Sequence, residues 1–142
     1  MKHRERIEGY FRACSEGDAD AVTSHFTPEA VIYDTNHAPL RGADAIGQFW
    51  SKICERWQGA TWYVNSCISG ADCAAIEWTM TGRKDGRTFT MRGSEHYRFV
   101  GGKIDEIRQY WTFDEARLDT GLVDFPYATD PGQPFINRDR DQ

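Results

Sequence analysis

No stretch of the sequence approaches the roughly 18 consecutive apolar residues that a membrane-spanning helix requires, and the mean hydropathy is −0.67. An N-terminal apolar run is also absent, because Met1 is followed directly by charged residues. Neither a membrane span nor a secretory signal is therefore expected. These two absences predict a cytoplasmic protein with no membrane partner.

Positive charge is also in short supply. Lysine and arginine number 17 against 22 acidic residues, which gives a formal net charge of −5 and an isoelectric point near 5.3. Nucleic acids and anionic membranes are bound through basic patches. The sequence therefore predicts no nucleic-acid partner.

Cysteine is sparse and irregularly spaced. The four cysteines, Cys14, Cys54, Cys67 and Cys73, form no CxxC pair, and in a reducing compartment such residues are most often small buried hydrophobic side chains. No His, Cys and carboxylate cluster has metal-ligand spacing. There is also no nucleophile motif and no glycine-rich phosphate loop. We therefore expect neither a metal nor an organic cofactor.

What the sequence does contain suits one globular domain, since 39% of its 142 residues are hydrophobic and 13% are aromatic. The first segment carries an apolar face at the i, i+3, i+4, i+7 spacing of a helix, formed by Ile7, Tyr10, Phe11 and Cys14. This helix is predicted to stop at Gly17.

A second, short helix is predicted next. Asp18 is suited to cap it, and its apolar face would run through Val22 and Phe26. Thr27 and Pro28 then predict a cap-like turn before a strand with the sequence "AVIYD" and a loop with the sequence "DTNHAPLRG". A third helix follows, and its apolar stripe holds Ile46, Phe49, Trp50, Ile53 and Trp57.

From residue 61 onwards the hydrophobic period changes to two. The segments "TWYVNSCIS", "CAAIEWTM", "RTFTMRGSEHYRFV" and "KIDEIRQYWTF" alternate as strands do, and "GAD", "GRKDG" and "GG" between them are hairpin turn signals. Helices followed by an antiparallel meander predict an α+β domain with the helices on one face of a curved sheet. Such a sheet leaves a cone with an open end.

Several local strings resemble the nuclear transport factor 2-like superfamily, in particular its SnoaL-like and ketosteroid isomerase-like enzymes. They are "YFRACSEGDADAV", "FTPEAVIYD", "RGADAI" and "HYRFVGGKIDEIRQYW", and the resemblance covers residues 5 to about 113. It implies a cone-shaped curved antiparallel sheet wrapped around N-terminal helices. We expect residues 1–121 to form this SnoaL-like cone domain and residues 122–142 to form a partly ordered tail, which either lies over the body or closes the cone.

The resemblance to ketosteroid isomerase also implies three catalytic residues. Tyr10 stands seven residues before the "GD" turn, as the helix tyrosine of that family does, and Asp34 occupies the place of its general base at the end of the first strand. Glu95 takes the place of its second acid, which stays protonated and donates a hydrogen bond, although that family has aspartate there. In ketosteroid isomerase, one carboxylate remains ionised while an apolar site keeps the other neutral.

Strand alternation provides a test that is independent of the family. If Glu95 points inward, so do Met91 and Tyr97, whereas His96 points outward with Arg98. The inward set is the less polar one, and inward carboxylates are costly unless they are paired or functional. We therefore expect Glu95 inside the cone and His96 outside it.

The residues allow a second interpretation at each catalytic position. Asp34 also suits the start of the turn after its strand, Tyr10 suits a core tyrosine, and Glu95 suits a pair with an arginine at a sheet edge. His37, in the loop that rims the cone, is a candidate to protonate a leaving group or to bind a substrate oxygen. A solvated loop histidine is the alternative.

The function predicted from this pattern is a cofactor-independent acid–base lyase that performs aldol-type cleavage, deformylation or dehydration. Five tryptophans suggest an apolar, aromatic small molecule as the substrate. The expected substrate contacts are Phe49, Trp50, Ile53, Trp62, Trp78, Met80, Met91, Tyr97, Gln109 and Trp111. A double-bond isomerase and a non-catalytic hydrophobic binding module are the alternatives. The resemblance also implies a homodimer formed through the outer sheet face, where Tyr110 is expected.

Overall fold

The computed structural model describes residues 2–135. Its three helices are α1 (Lys2–Glu16), α2 (Ala19–Thr23) and α3 (Ala43–Arg56), and its six strands are β1 (Phe26–Asp34), β2 (Leu40–Arg41), β3 (Gln58–Ser69), β4 (Cys73–Lys84), β5 (Arg87–Val100) and β6 (Lys103–Trp111). Within this part of the chain, none of the helices has the length and apolar character needed to cross a membrane.

The six strands form one curved, unclosed sheet in the order β2-β1-β6-β5-β4-β3. Strands β3 to β6 make the predicted antiparallel meander. Strand β1 joins it by parallel pairing with β6, so that Asp34 lies opposite Gln109. The α+β prediction of a curved sheet around N-terminal helices is therefore confirmed, with one parallel strand pair inside it.

Two of the hairpins close through pairs of residues with positive φ. Asp85 and Gly86 have φ angles of 53° and 76°, and Gly101 and Gly102 have 59° and 79°. Both central residues of a type I′ turn need this left-handed conformation, which glycine adopts without steric cost. The first turn needs only these two residues, so β4 continues to Lys84 instead of ending at Met80.

The predicted second helix and the turn after it differ from the structure. Asp18 does cap α2, since its side chain accepts hydrogen bonds from the backbone N–H groups of residues 20 and 21. The helix ends at Thr23, however, and Phe26 begins β1, where it pairs with Ile104 of β6. Pro28 lies within the strand, at a place where the register with β6 shifts. Long-range pairing thus overrides the local turn signal.

Burial follows the predicted alternation along β5. Met91, Glu95 and Tyr97 are buried against the helices, whereas His96 and Arg98 are exposed on the outer face. Helix α1 contributes the predicted face of Ile7, Tyr10, Phe11 and Cys14 to the same core. The concave side of the sheet therefore carries the core, and a carboxylic acid lies inside it.

The segment after β6 runs over the outer face of the sheet. The side-chain amide of Asn65 donates to the carbonyl oxygens of Pro131 and Gln133 at 2.8 and 3.1 Å. The guanidinium of Arg92 lies 3.6 Å from the ring centroid of Tyr127. Of the tail expected at 122–142, the part up to residue 135 thus lies over the body, and residues 136–142 fall outside the described range.

Candidate active site

A cavity of about 310 Å³ opens between helix α3 and the inward side chains of β1, β4 and β6. Its wall is mostly aromatic and aliphatic. Eight of the ten residues predicted to contact a substrate line it, namely Phe49, Trp50, Ile53, Trp62, Trp78, Met80, Gln109 and Trp111. Asp34 and His37 line the same cavity, so two candidate catalytic groups face this apolar space.

The carboxylate of Asp34 is held in a fixed orientation at the end of β1. Its side chain is only 2% exposed. Trp111 Nε1 donates to Oδ2 at 2.9 Å, and the backbone N–H of Asn36 donates to Oδ1 at 2.7 Å. Asp34 is therefore built as an oriented acceptor, and it also opens the turn after its strand.

His37 faces this carboxylate from the loop after β1. Its Nε2 lies 3.4 Å from Asp34 Oδ2, and its Nδ1 lies 2.8 Å from the carbonyl oxygen of Ala38. Because a carbonyl only accepts, Nδ1 must carry the hydrogen in that contact. Nε2 is then the nitrogen that faces Asp34. The ring also packs against Phe49, with centroids 5.1 Å apart, and the side chain is 30% exposed, so His37 is held in place at the rim of the cavity.

Glu95 lies beneath the cavity wall and is only 3% exposed. Burial raises the pKa of its carboxyl from 4.5 to about 8, the hydrogen bond from Tyr97 opposes this shift, and the charge of Asp34 adds to it. The hydroxyl of Tyr97 donates to Oε1 of Glu95. At neutral pH Glu95 is therefore mostly a neutral acid with one hydrogen to donate.

Gln109 connects Glu95 to the cavity. Its side-chain amide lies 2.9 Å from Glu95 Oε2 and 3.3 Å from Trp111 Nε1 when its Nε2 faces Glu95. An ionised Glu95 accepts from Gln109 Nε2, whereas a protonated Glu95 donates to the amide oxygen when the amide is turned round. The orientation of the Gln109 amide is therefore coupled to the protonation of Glu95.

Four of the predicted site residues lie outside the cavity lining: Tyr10, Met91, Glu95 and Tyr97. They point inward as predicted, but all are at most 3% exposed. The ring centroid of Tyr10 lies 6.2 Å from that of Trp50, which belongs to the wall. Strand alternation predicts the face of the sheet on which a side chain lies, but it does not predict how deeply the side chain is buried. The positions of these four residues therefore do not support the direct substrate contact expected of them.

The lining also contains six residues that were not among the predicted contacts: Ile32, Leu40, Arg56, Trp57, Lys84 and Phe113. The signals for three of them were present in the sequence. Continuing the alternation of β4 from Trp78 and Met80 leads to Lys84, and continuing that of β6 from Trp111 leads to Phe113. Arg56 follows Ile53 by three residues on the apolar stripe of α3.

The arrangement places groups that can donate and accept protons around a mostly apolar space. Asp34 supplies an oriented carboxylate, His37 supplies an imidazole nitrogen, and Gln109 supplies an amide backed by a neutral acid. Trp78 Nε1 is buried in the wall without a hydrogen-bond partner among the described residues. No group of three His, Cys, Asp or Glu side chains within residues 2–135 is arranged to hold a metal ion.

Comparison with known proteins places this geometry in context. A family model described as a SnoaL-like domain matches residues 7–107. No curated protein matches the sequence. Among solved structures, a protein of unknown function with a cystatin-like fold from Methylobium petroleophilum PM1 is 28% identical, with 94% of this chain and 95% of that chain covered and a TM-score of 0.70.

Two more distant structures share the fold. A protein with a ketosteroid isomerase-like fold from Catenulispora acidiphila DSM 44928, solved in complex with trimethylamine, is 14% identical over 80% of this chain and 88% of that chain, with a TM-score of 0.71. An LEH-like epoxide hydrolase from M. tuberculosis is also 14% identical, over 82% of this chain and 86% of that chain, with a TM-score of 0.69.

Proposed function

This chain belongs to the SnoaL-like domain family of the nuclear transport factor 2-like superfamily, and on this premise we propose that it is an acid–base lyase acting on aromatic small molecules without a cofactor. The observation that carries the proposal is the pair of Asp34 and His37, whose Oδ2 and Nε2 atoms lie 3.4 Å apart in the wall of an aromatic cavity. An epoxide hydrolase among the similar structures supports catalysis on this fold.

Asp34 is the proposed base. Its buried carboxylate is oriented by Trp111 and Asn36, so little reorganisation is needed when it accepts a proton from carbon. An apolar wall keeps water away from the reacting atoms and strengthens the electrostatic interactions inside. In a dehydration, the electron pair released from the C–H bond forms a double bond as the neighbouring C–O bond breaks.

His37 is the proposed acid. Protonated at Nε2, it donates its hydrogen to the leaving hydroxyl, which departs as water. The proton taken up by Asp34 can then return to His37 across the 3.4 Å that separates the two groups. Acid and base assistance by positioned side chains contributes about 10² to 10⁴-fold to a rate. The proximity of the two groups favours a lyase, since expulsion of an oxygen requires both.

Gln109 is the proposed hydrogen-bond partner of the developing oxyanion, and Glu95 is its positioning residue. Neutral Glu95 fixes the amide of Gln109 from below, while Gln109 itself lines the cavity. The same base and oxyanion donor also suit double-bond isomerisation, in which the proton returns to a different carbon of the substrate. Isomerisation is the second candidate, and it differs in that it requires no acid for a leaving group.

The aldol adduct of naphthaldehyde and acetone is a suitable test substrate. Loss of water yields a conjugated naphthyl enone, and cleavage of the C–C bond yields naphthaldehyde and acetone, so absorbance separates the two lyase reactions. Replacing Asp34 by asparagine keeps its size and removes the base, and we expect turnover to fall by about 10² to 10⁴-fold. Asp72→Asn, in the exposed turn after β3, is the matched control with expected wild-type turnover.

A second variant separates the candidate functions. His37→Gln is expected to slow loss of water strongly and to leave the shift of a double bond in a β,γ-unsaturated naphthyl ketone nearly unchanged. Turnover that survives in Asp34→Asn would refute the assignment of the base. Tight binding of both naphthyl compounds with no product from either would instead favour a ligand-binding module.

The proposed assembly is a homodimer formed through the outer sheet face. The tail covers the part over β3 to β5, and an aromatic strip remains beside it on β1 and β6. Tyr110 is 51% exposed and Tyr33 is 39% exposed, and His96 lies edge-on to Tyr110 with ring centroids 5.8 Å apart. Exposed aromatic groups of this kind are common at protein interfaces, which supports this part of the face as the contact.

A further inference from the structure

Two cationic side chains belong to the wall of this mostly apolar cavity. Arg56 ends helix α3, and Lys84 ends strand β4. Asp34 is the one carboxylate among the lining residues of this cavity, and it faces His37. The cavity therefore carries cationic groups that its own wall does not neutralise.

Lys84 lies away from the acid–base pair. Lys84 Nζ lies 5.3 Å from the ring centroid of Phe113 and 5.7 Å from that of Trp57. Phe113 in turn lies 6.1 Å, centroid to centroid, from Trp111, whose Nε1 donates to Asp34. Two aromatic rings therefore separate the ammonium group from the carboxylate, and the cavity has a reactive end and a cationic end.

Local structure explains the position of each cationic side chain and leaves its charge free to bind a ligand. The last turn of a helix favours a basic residue such as Arg56, and a lysine stem readily covers aromatic rings. Lys84 has an ion pair with Glu115 at 3.2 Å, but Glu115 is 61% exposed, so the pair is weak and readily exchanged. The guanidinium of Arg56 has no hydrogen bond or ion pair with another described residue.

We propose that the substrate is an aromatic carboxylate whose anionic group binds Lys84 and Arg56 while its reacting carbon faces Asp34. This inference rests on the proposed function, because it concerns the same cavity. A flat aromatic frame spans the rings of Trp111 and Phe113, and the carboxylate replaces Glu115 as the partner of Lys84. The charge at one end thus fixes the direction in which the molecule enters the site.

Binding of naphthoate and of naphthamide, measured by calorimetry at low salt, tests this inference without requiring turnover. The two ligands share their aromatic frame and differ in charge. We expect naphthoate to bind about tenfold more tightly, since the side chain of Lys84 is only 26% exposed and a partly shielded ion pair is worth more than an exposed one. Lys84→Gln and Arg56→Gln should each reduce this preference and leave naphthamide affinity unchanged, which also reports that the variants are folded.

Two further variants sharpen the comparison. Glu115→Gln removes the internal competitor, so naphthoate affinity is expected to rise, whereas Lys52→Gln removes an exposed lysine of α3 outside the cavity and should change nothing. Equal affinities of the wild type for both ligands, or a preference that persists in the double variant of Lys84 and Arg56, would overturn the cationic subsite and leave the lyase proposal intact. If neither ligand binds, both proposals fail. Loss of activity in Asp34→Asn with retained naphthoate preference supports both.

Discussion

Replacing Glu95 by glutamine should make the free energy of unfolding of this protein much less dependent on pH. Burial raises the pKa of Glu95 from 4.5 to about 8 in the folded chain, and unfolding returns the group to water and to its ordinary value. Between these two pH values the folded chain holds a proton that the unfolded chain has released. The contribution of protonated Glu95 to the free energy of unfolding is therefore fully present below about pH 4.5 and is lost as the pH rises through about 8.

The magnitude follows from the same values. The interval spans about 3.5 pH units, and each unit is worth about 1.4 kcal/mol, which gives a loss of roughly 3 to 5 kcal/mol across the interval. That loss is a large fraction of the 5 to 15 kcal/mol that stabilises a typical domain. Glutamine stays neutral at every pH and keeps an oxygen to accept from the hydroxyl of Tyr97, so the variant should lack this loss.

Urea unfolding of the wild type and of Glu95→Gln at about pH 5 and about pH 9 measures the effect. We expect the wild type to lose roughly 3 to 5 kcal/mol more than the variant between the two conditions. Glu77→Gln is the matched control, because Glu77 is exposed on the outer face and bonded to Ser66. Parallel pH dependences for the wild type and Glu95→Gln would show that Glu95 ionises normally and would refute the neutral-acid assignment.

Three other predictions concern the scaffold around the site. Gly93→Ala would bring its methyl group to 2.7 Å from the ring of Trp78, and we expect urea unfolding to show a loss of about 1 to 3 kcal/mol; unchanged stability would mean that the wall yields easily. Asn65→Leu leaves carbonyl groups of the tail without donors, so limited proteolysis should cleave the tail faster than in the wild type. Sedimentation should show a homodimer that Tyr110→Glu converts to a monomer, and a wild-type monomer would contradict the proposed interface.

Local patterns in the sequence predict most of the scaffold, because side-chain alternation is a local property. The period of two in β5 separates Glu95 from His96, and the structure buries the first and exposes the second. The helical face of α1 follows in the same way from the spacing of Ile7, Tyr10 and Phe11. Each of these predictions needs only neighbouring residues.

The features that the sequence did not predict depend on residues far apart in the chain. Phe26 begins a strand because Ile104 pairs with it, and nothing near Phe26 in the sequence reveals that partner. How deeply a side chain is buried within the cone also depends on residues far apart in the chain. Glu95 and Gln109 are cross-strand partners that both point inward, yet only Gln109 lines the cavity, because the packing of α1 and α3 decides where the open space begins.

The hydrogen bond from Trp111 to Asp34 joins residues that are 77 positions apart, and this decides when the proposed site is completed during folding. Strand β1 can pair with β6 only after the whole meander has been synthesised. During translation, the helices and β1 leave the ribosome before Trp111 can donate its hydrogen bond to Asp34, the proposed base. Such long-range strand pairing is also slow to form. The proposed active site should therefore be completed last, when β6 pairs with β1.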